Sequence, residues 1–250
     1  PLPLPSDNFG GSAAEIKYRS SESHPMDPPL VLDIDGTMTR RDDSVDPRFF
    51  SLLPDWDAPV VLATGKAFPY PVALTHFLGL PKNVIAENGG IVLARDDVTV
   101  NGDGEAARQV AAEYRELGHD LGWGRSDLTN RWRETEIAVQ RDQPLGPLEE
   151  LASEHGLEVV DTGYAYHVKP ASVSKGQGLK SVADLLDRDP AAFVAVGDSE
   201  NDVSTFGVAG ESYAVSNADA KAQRAADVVV EGSYADGTLA ILEALRERAE

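Results

Sequence analysis

Short, continuously apolar runs alternate with segments of helical period along most of the chain. Residues 30–34 (LVLDI), 59–63 (PVVLA) and 192–196 (AFVAV) lack the in-out alternation of half-exposed strands. They therefore read as strands covered on both faces. Residues 83–86, 91–93, 213–215 and 227–230 read as further, shorter strands. Between them, apolar positions three and four apart predict helices over 69–79, 176–186, 218–226 and 237–248, and Asp46 with Pro47 opens a short one that reaches residue 53. Strands and helices in alternation predict an α/β fold, a doubly wound parallel (Rossmann-like) sheet.

The middle of the chain breaks this rhythm. Residues 105–121 place Ala106, Val110, Ala111, Tyr114 and Leu117 on one helical face, residues 136–140 alternate as a half-exposed strand, and 145–155 form a second helix ended by Gly156. Strands over 157–160 and 164–168 follow. Helix, strand, helix, strand, strand describes a small α+β module with an open sheet. Residues 1–25 are rich in Pro, Ser and Gly without period and read as a disordered tail or leader, the domain opening near Met26 and Asp27. The expected division is a tail over 1–26, a core over 27–90 and 169–250, and a module over 91–168 inserted into that core.

Composition narrows the picture. At 250 residues and 42% hydrophobic the chain can bury a sizeable core, and with no cysteine it has neither disulfides nor thiolate metal sites. No run approaches the eighteen or so apolar residues of a membrane span, and the start lacks a basic region leading into an apolar one, so the expected location is cytoplasmic. The 42 acidic residues against 22 basic ones leave a net charge of -20, which argues against nucleic acid as a partner. Only seven of the basic residues are lysines. Such an acidic, lysine-poor composition resembles that of proteins from salt-loving archaea, in which salt screens self-repulsion. The sequence leaves the assembly open, a homodimer included.

Candidate chemistry gathers where apolar strands end. Asp33 and Asp35 close the first strand, and Gly36 lets the chain turn. Unpaired carboxylates there are costly unless they serve a ligand, and the carboxyl ends of open α/β sheets are where ligands bind. Thr64 and Gly65 end the second strand. Lys175 opens a helix behind Ser174, and Asp198, Asn201 and Asp202 follow a later strand in GDSEND. Taken singly, these are an Asp-Gly turn, a strand-to-helix turn, a helix start and a capped helix. Together they supply what phosphate-ester hydrolysis needs: a nucleophile (Asp33), an acid for the leaving oxygen (Asp35), and oxygen ligands for a hard cation such as Mg²⁺ (Asp198, Asp202). Lys175 and the Thr64 hydroxyl would hold the phosphoryl group, and Asn201 would orient the site or Lys175. The substrate partner is thus a small-molecule phosphate ester.

These four motifs, in this order, resemble those of the haloacid dehalogenase superfamily, mostly phosphatases that use an aspartate nucleophile. The resemblance covers the whole chain after the tail. It implies that Asp33 forms an aspartyl phosphate, that Thr64, Gly65, Lys175 and Asn201 bind the phosphoryl group, and that Asp33 and the Asp35 carbonyl join Asp198 and Asp202 around the metal. Thr64 follows Asp33 by 31 residues, too few for a domain, whereas Lys175 follows Thr64 by 111. An insertion there looks like the cap of the Cof-type branch. Within that branch the total length, the compact cap, RETEIAV and GDSENDV are most similar to the archaeal phosphoglycolate phosphatases. The reaction that this implies is Mg²⁺-dependent hydrolysis of 2-phosphoglycolate. The alternatives are a sugar-phosphate or phosphoglycerate phosphatase, a phosphomannomutase-like phosphotransferase, and an idle phosphate- or metal-binding module. Lys66 either touches substrate or starts a helix. Asn88, in a turn that resembles the branch's ENGA, is a further candidate, His167 reads as structural, and Arg131 or Arg133 faces either a substrate carboxylate or solvent.

Overall fold

A computed structural model describes residues 27–249, so the expected tail over 1–26 lies outside the described residues. Strand β1 (Leu30–Asp33) is the centre of an eight-stranded sheet. On one side follow β2 (Val60–Ala63), β3 (Val84–Ala86), β4 (Ile91–Ala94) and β5 (Asp97–Val100). On the other lie three later strands, which end up as β9 (Val194–Gly197), β10 (Glu211–Ala214) and β11 (Val228–Val229). All pairings from β11 to β3 are parallel, while β4 runs antiparallel to both β3 and β5. The chain therefore reverses its winding between β1 and β9, the switch point at which such sheets open a crevice.

Alternate residues of β1 serve opposite faces. Leu30 and Leu32 pack with Leu239, Leu242 and Leu245 of the last helix, α8 (Tyr234–Ala249), and with Phe49 of the first, α1 (Phe49–Leu52). Val31 packs instead with Leu179 and Val182 of α5 (Lys175–Leu186) and Phe206 of α6 (Val203–Phe206). Helices on both faces explain why β1, β2 and β9 are apolar without alternation, each buried side chain of this size contributing about 1.5–3 kcal/mol. The remaining helices of the core are α2 (Pro69–Phe77) and α7 (Ala220–Ala225), the latter capped by Asp219.

The inserted module has its own sheet, ordered β6 (Ile137–Gln140), β8 (Ala165–Lys169), β7 (Glu158–Asp161) and antiparallel throughout. Helices α3 (Gly104–Glu116) and α4 (Leu145–Glu154) cover one face and bury Tyr114, Val139, Leu148 and Val168 in a separate core.

Two features differ from the sequence reading. The stretch 91–100, given there to the inserted module, forms β4 and β5 of the central sheet, because Ile91–Ala94 finds a parallel-sheet edge at β3 to pair with. The helix expected from Asp46 shortens to four residues. Asp46 accepts hydrogen bonds from the Arg40 and Arg48 side chains and from the Arg48 amide, which engages it three residues before the helix proper.

Candidate active site

Every motif residue sits at or just past the carboxyl end of three adjacent parallel strands, β2, β1 and β9, or at the start of α5. Asp33 is the last residue of β1 and is 5% exposed. Its Oδ1 accepts a hydrogen bond from Lys175 Nζ at 2.6 Å, and its Oδ2 is buried with no partner among the described residues. Lys175 Nζ also donates to Asp202 Oδ1 at 2.7 Å. The other Asp202 oxygen accepts the amides of Asp198 (3.0 Å) and Ser199 (3.1 Å), so this carboxylate ties the loop after β9 to the lysine. Lys175 is held by its position as first residue of α5, where the Ser174 hydroxyl caps the Gln177 amide at 3.1 Å.

Oxygens of Asp33, Asp198 and Asp202 lie within 4.8 Å of one another. Gly36 makes this possible: it has φ of +78°, and a Cβ there would meet Asp198 Oδ2 at 2.0 Å. The electrostatic cost is visible in the carboxyl groups. Burial pushes Asp33 well above the usual range, against Lys175 and with Asp202, Asp198 and Asp35 adding repulsion. Burial and then Asp202 raise Asp198 to about 7. Lys175 itself is held above its ordinary range: burial opposes its charge, but Asp202 and Asp33 outweigh it. Three carboxylates around one ammonium form an anionic cluster. An orphaned buried oxygen within an all-oxygen donor set fits a hard divalent cation, which would relieve the repulsion.

Above the cluster opens a cleft of about 560 Å³, walled by Asp33, Asp35, Thr64, Gly65, Asp198 and Asn201 from the core and by Arg133, Thr162, Tyr164 and His167 from the module. The structure thus brings the predicted residues together, with differences of detail. Lys175 has no exposed side-chain surface and lies behind Asp33. Thr64 Oγ1 accepts the Lys66 amide at 3.0 Å, which leaves its hydroxyl proton for another acceptor. Lys66 Nζ pairs with Asp35 Oδ1 at 2.7 Å at the half-exposed mouth. No hydrogen bond joins the Asn201 side chain to Lys175 among the described residues. Its amide donates to Asn88 Oδ1 at 3.1 Å and its oxygen accepts from the Ser199 hydroxyl at 2.8 Å.

A buried network between core and module went unseen in the sequence. Glu136, one residue before β6, is reached by Asn88 Nδ2 (3.1 Å), by His167 Nδ1 (2.8 Å) and by Arg133 Nη1, which also donates to the Gly65 carbonyl at 2.9 Å. Burial opposes the charge of Glu136, but His167 and Arg133 hold its carboxyl below the usual range. Beside it, buried Glu87 accepts the amides of Glu134 (3.0 Å) and Thr135 (2.7 Å) and the Thr135 hydroxyl (2.7 Å). Asn88 and Glu87 both have positive φ, 55° and 51°, a conformation whose cost the surrounding hydrogen bonds must offset. The one available signal was a glutamate at the head of the strand expected over 136–140, which is buried over Ile137–Val139 rather than half-exposed because the module's helices and loops cover both its faces.

Fold and site together describe an α/β core with an aspartate-centred cleft at its switch point, and comparison with known proteins gives the class, a hydrolase. A family model described as haloacid dehalogenase-like hydrolase matches residues 148–242. A Halorubrum lacusprofundi protein named phosphoglycolate phosphatase is 61% identical over 227 residues, covering 90% of this chain and 100% of that protein. A Halobacterium salinarum protein of the same name is 56% identical, covering 88% and 98%. The crystal structure of a Thermoplasma acidophilum protein superposes with a TM-score of 0.76 at 23% identity, over 88% of this chain and 99% of that one. A haloacid dehalogenase-like hydrolase from Bacteroides thetaiotaomicron gives 0.69 at 20% identity, over 88% and 99%. The chain belongs to the haloacid dehalogenase-like hydrolases.

Proposed function

We propose that the protein hydrolyses 2-phosphoglycolate to glycolate and phosphate through an aspartyl phosphate, with Mg²⁺ as its cation. One observation carries the chemistry: Asp33 Oδ2 is unpartnered in a wall of the cleft while Lys175 fixes Oδ1. Asp33 Oδ2 forms a bond to phosphorus as the bond to the glycolate oxygen breaks, and Asp35 at the mouth gives that oxygen its proton. Water then attacks the aspartyl phosphate, Asp35 takes a proton from it, and phosphate leaves with Asp33 regenerated. Asp33, Asp198, Asp202 and the Asp35 carbonyl would hold Mg²⁺, which offsets the charge of phosphoryl oxygens beside an anionic nucleophile. The Thr64 hydroxyl and the Gly65 turn would bind those oxygens. Lys175 favours the ionised form of Asp33 against the cost of burial and aims it, because its ammonium is shared between Asp33 and Asp202. The three-stranded module serves as a cap over the cleft, excluding water and contacting the leaving group. The substrate follows from the relatives' name together with a cleft that carries an arginine beyond the phosphoryl site.

The test is phosphate release from 2-phosphoglycolate against a panel of sugar phosphates, in high salt with Mg²⁺, for the wild type and Asp33→Asn. Preference for 2-phosphoglycolate, lost in the variant, supports the proposal. Preference for another ester, or release that survives Asp33→Asn, refutes the substrate or the nucleophile respectively. No phosphate from any ester, with the fold intact, refutes hydrolysis itself.

A further inference from the structure

We propose that Arg133 selects the substrate by binding its carboxylate through Nη2. The inference rests on the reading that the substrate is a short phosphate ester with a second anionic group.

The Arg133 side chain is only 4% exposed, and three of its five N–H groups already have acceptors. Nε donates to the Thr129 carbonyl at 3.1 Å, and Nη1 donates to the Gly65 carbonyl and to Glu136. Nη2 makes no hydrogen bond among the described residues, yet Arg133 is part of the cleft wall that contains Asp33 and Thr64. A guanidinium fixed at Nε and Nη1 presents its remaining donors in one direction, so little entropy is lost when an anion docks on them.

Charge points to the same place. Asp33, Asp35, Asp43 and Asp198 line this cleft, in a chain of net charge -20. A carboxylate that enters beside the phosphoryl group is repelled everywhere except next to a cation. The other basic side chains in that wall are less available: Lys66 is paired with Asp35, and His167 is turned by its Nδ1 onto Glu136. Arg133 does share Glu136, but Glu136 also receives Asn88 and His167, so the guanidinium is not the only group that compensates it. The bond from Nη1 to the Gly65 carbonyl places this cation next to the Thr64–Gly65 turn, the right neighbourhood for a carboxylate two bonds from the ester oxygen. Glu136 is then the positioning residue and Arg133 the one that touches substrate.

The experiment compares kcat and KM for 2-phosphoglycolate and for ethyl phosphate, which has the same chain length and no carboxylate. The enzymes are wild type, Arg133→Lys, which keeps the charge but not the fork, and Arg133→Gln combined with Glu136→Gln, which leaves no buried carboxylate unpaired. Melting curves accompany each. The expected result is a KM for 2-phosphoglycolate raised about 10- to 100-fold more than that for ethyl phosphate, the worth of a charged hydrogen-bond pair. Parallel losses on both substrates, or an unchanged KM for 2-phosphoglycolate in a folded variant, overturn the role of Arg133 alone. A wild type that does not favour 2-phosphoglycolate over ethyl phosphate overturns the substrate reading and this inference with it, and is visible before any variant is made.

Discussion

Lys175 illustrates how one buried side chain holds two acidic ones in place. It is fully buried between Asp33 and Asp202, and its ammonium is the partner that makes both carboxylates tolerable. Removing one member of such a cluster leaves uncompensated buried charge, which costs about 3–5 kcal/mol. Lys175→Met in metal-free protein is therefore expected to lose about that much unfolding free energy in a denaturant titration, and, with Mg²⁺ supplied, to lose phosphate release. A loss of less than about 1 kcal/mol, within the range of an exposed ion pair, would show that the cluster is wetter than its geometry indicates. At this scale the sequence was most legible where neighbours in the chain are neighbours in the site: Asp33 with Asp35, and Asp198 with Asp202. It was least legible for the set of Asn88, Arg133, Glu136 and His167. These residues come from separate turns and strands: Asn88 and Arg133 read singly as candidates for substrate and His167 as structural, but nothing in the sequence joins them through Glu136. Asp46 was misread for a related reason, since a carboxylate before a proline can cap a helix or clamp two arginines, and only the fold brings Arg40 and Arg48 to it.

At the scale of elements, the strands that matter most were the easiest to see. β1, β2 and β9 are covered on both faces, and their apolar runs announce it. β5 escaped notice because Asp97–Val100 is an exposed edge with a charged residue at its start, so nothing marks it except the partner it finds in β4. Close contact between helices is a further element-scale property. A Cβ on Gly176, at the start of α5, would meet the Ser204 carbonyl of α6 at 2.1 Å, and the Gly176 amide donates to the Ser204 hydroxyl at 3.0 Å. Gly176→Ala must push α5, and with it Lys175, away from the loop after β9. The expected cost is about 1–3 kcal/mol in stability, as for other overpacked sites, together with a fall in kcat. Gly146 in α4 faces open space where a Cβ would stand, so Gly146→Ala provides the contrast: a gain of about 0.5–1 kcal/mol and unchanged kcat. Equal effects from the two substitutions would remove the close approach as the cause.

The whole molecule is dominated by its charge. Forty-two acidic residues against 22 basic ones repel one another across a small surface, and the ion pairs found on that surface, such as Arg141–Asp161 and Lys221–Glu200, are too exposed to offset this. Salt shortens the reach of the repulsion to a few ångströms. The melting temperature is expected to rise between about 0.1 M and 1 M KCl by at least about 2–4 °C, the change that 1 kcal/mol produces in a chain of this size. A flat or falling melting temperature over that range would mean that acidic repulsion is not what limits stability. Among the described residues no helix is long and apolar enough to cross a membrane.

The hydrogen bonds of Asn88 have a mechanical consequence. Its oxygen is held by Asn201, on the loop that also carries Asp198 and Asp202, and its amide nitrogen is held by Glu136 at the root of the module's sheet. A side chain with one hand on each works as a clutch. While both grips hold, a shift of the module must drag on the loop that carries the acidic residues. Releasing Glu136 alone would not free the module, because Arg133 on Gly65 and Glu87 on Glu134 and Thr135 also fasten it to the core. The acidic loop and the module's sheet are thereby geared to each other through one side-chain amide, so a strain at either is felt at the other.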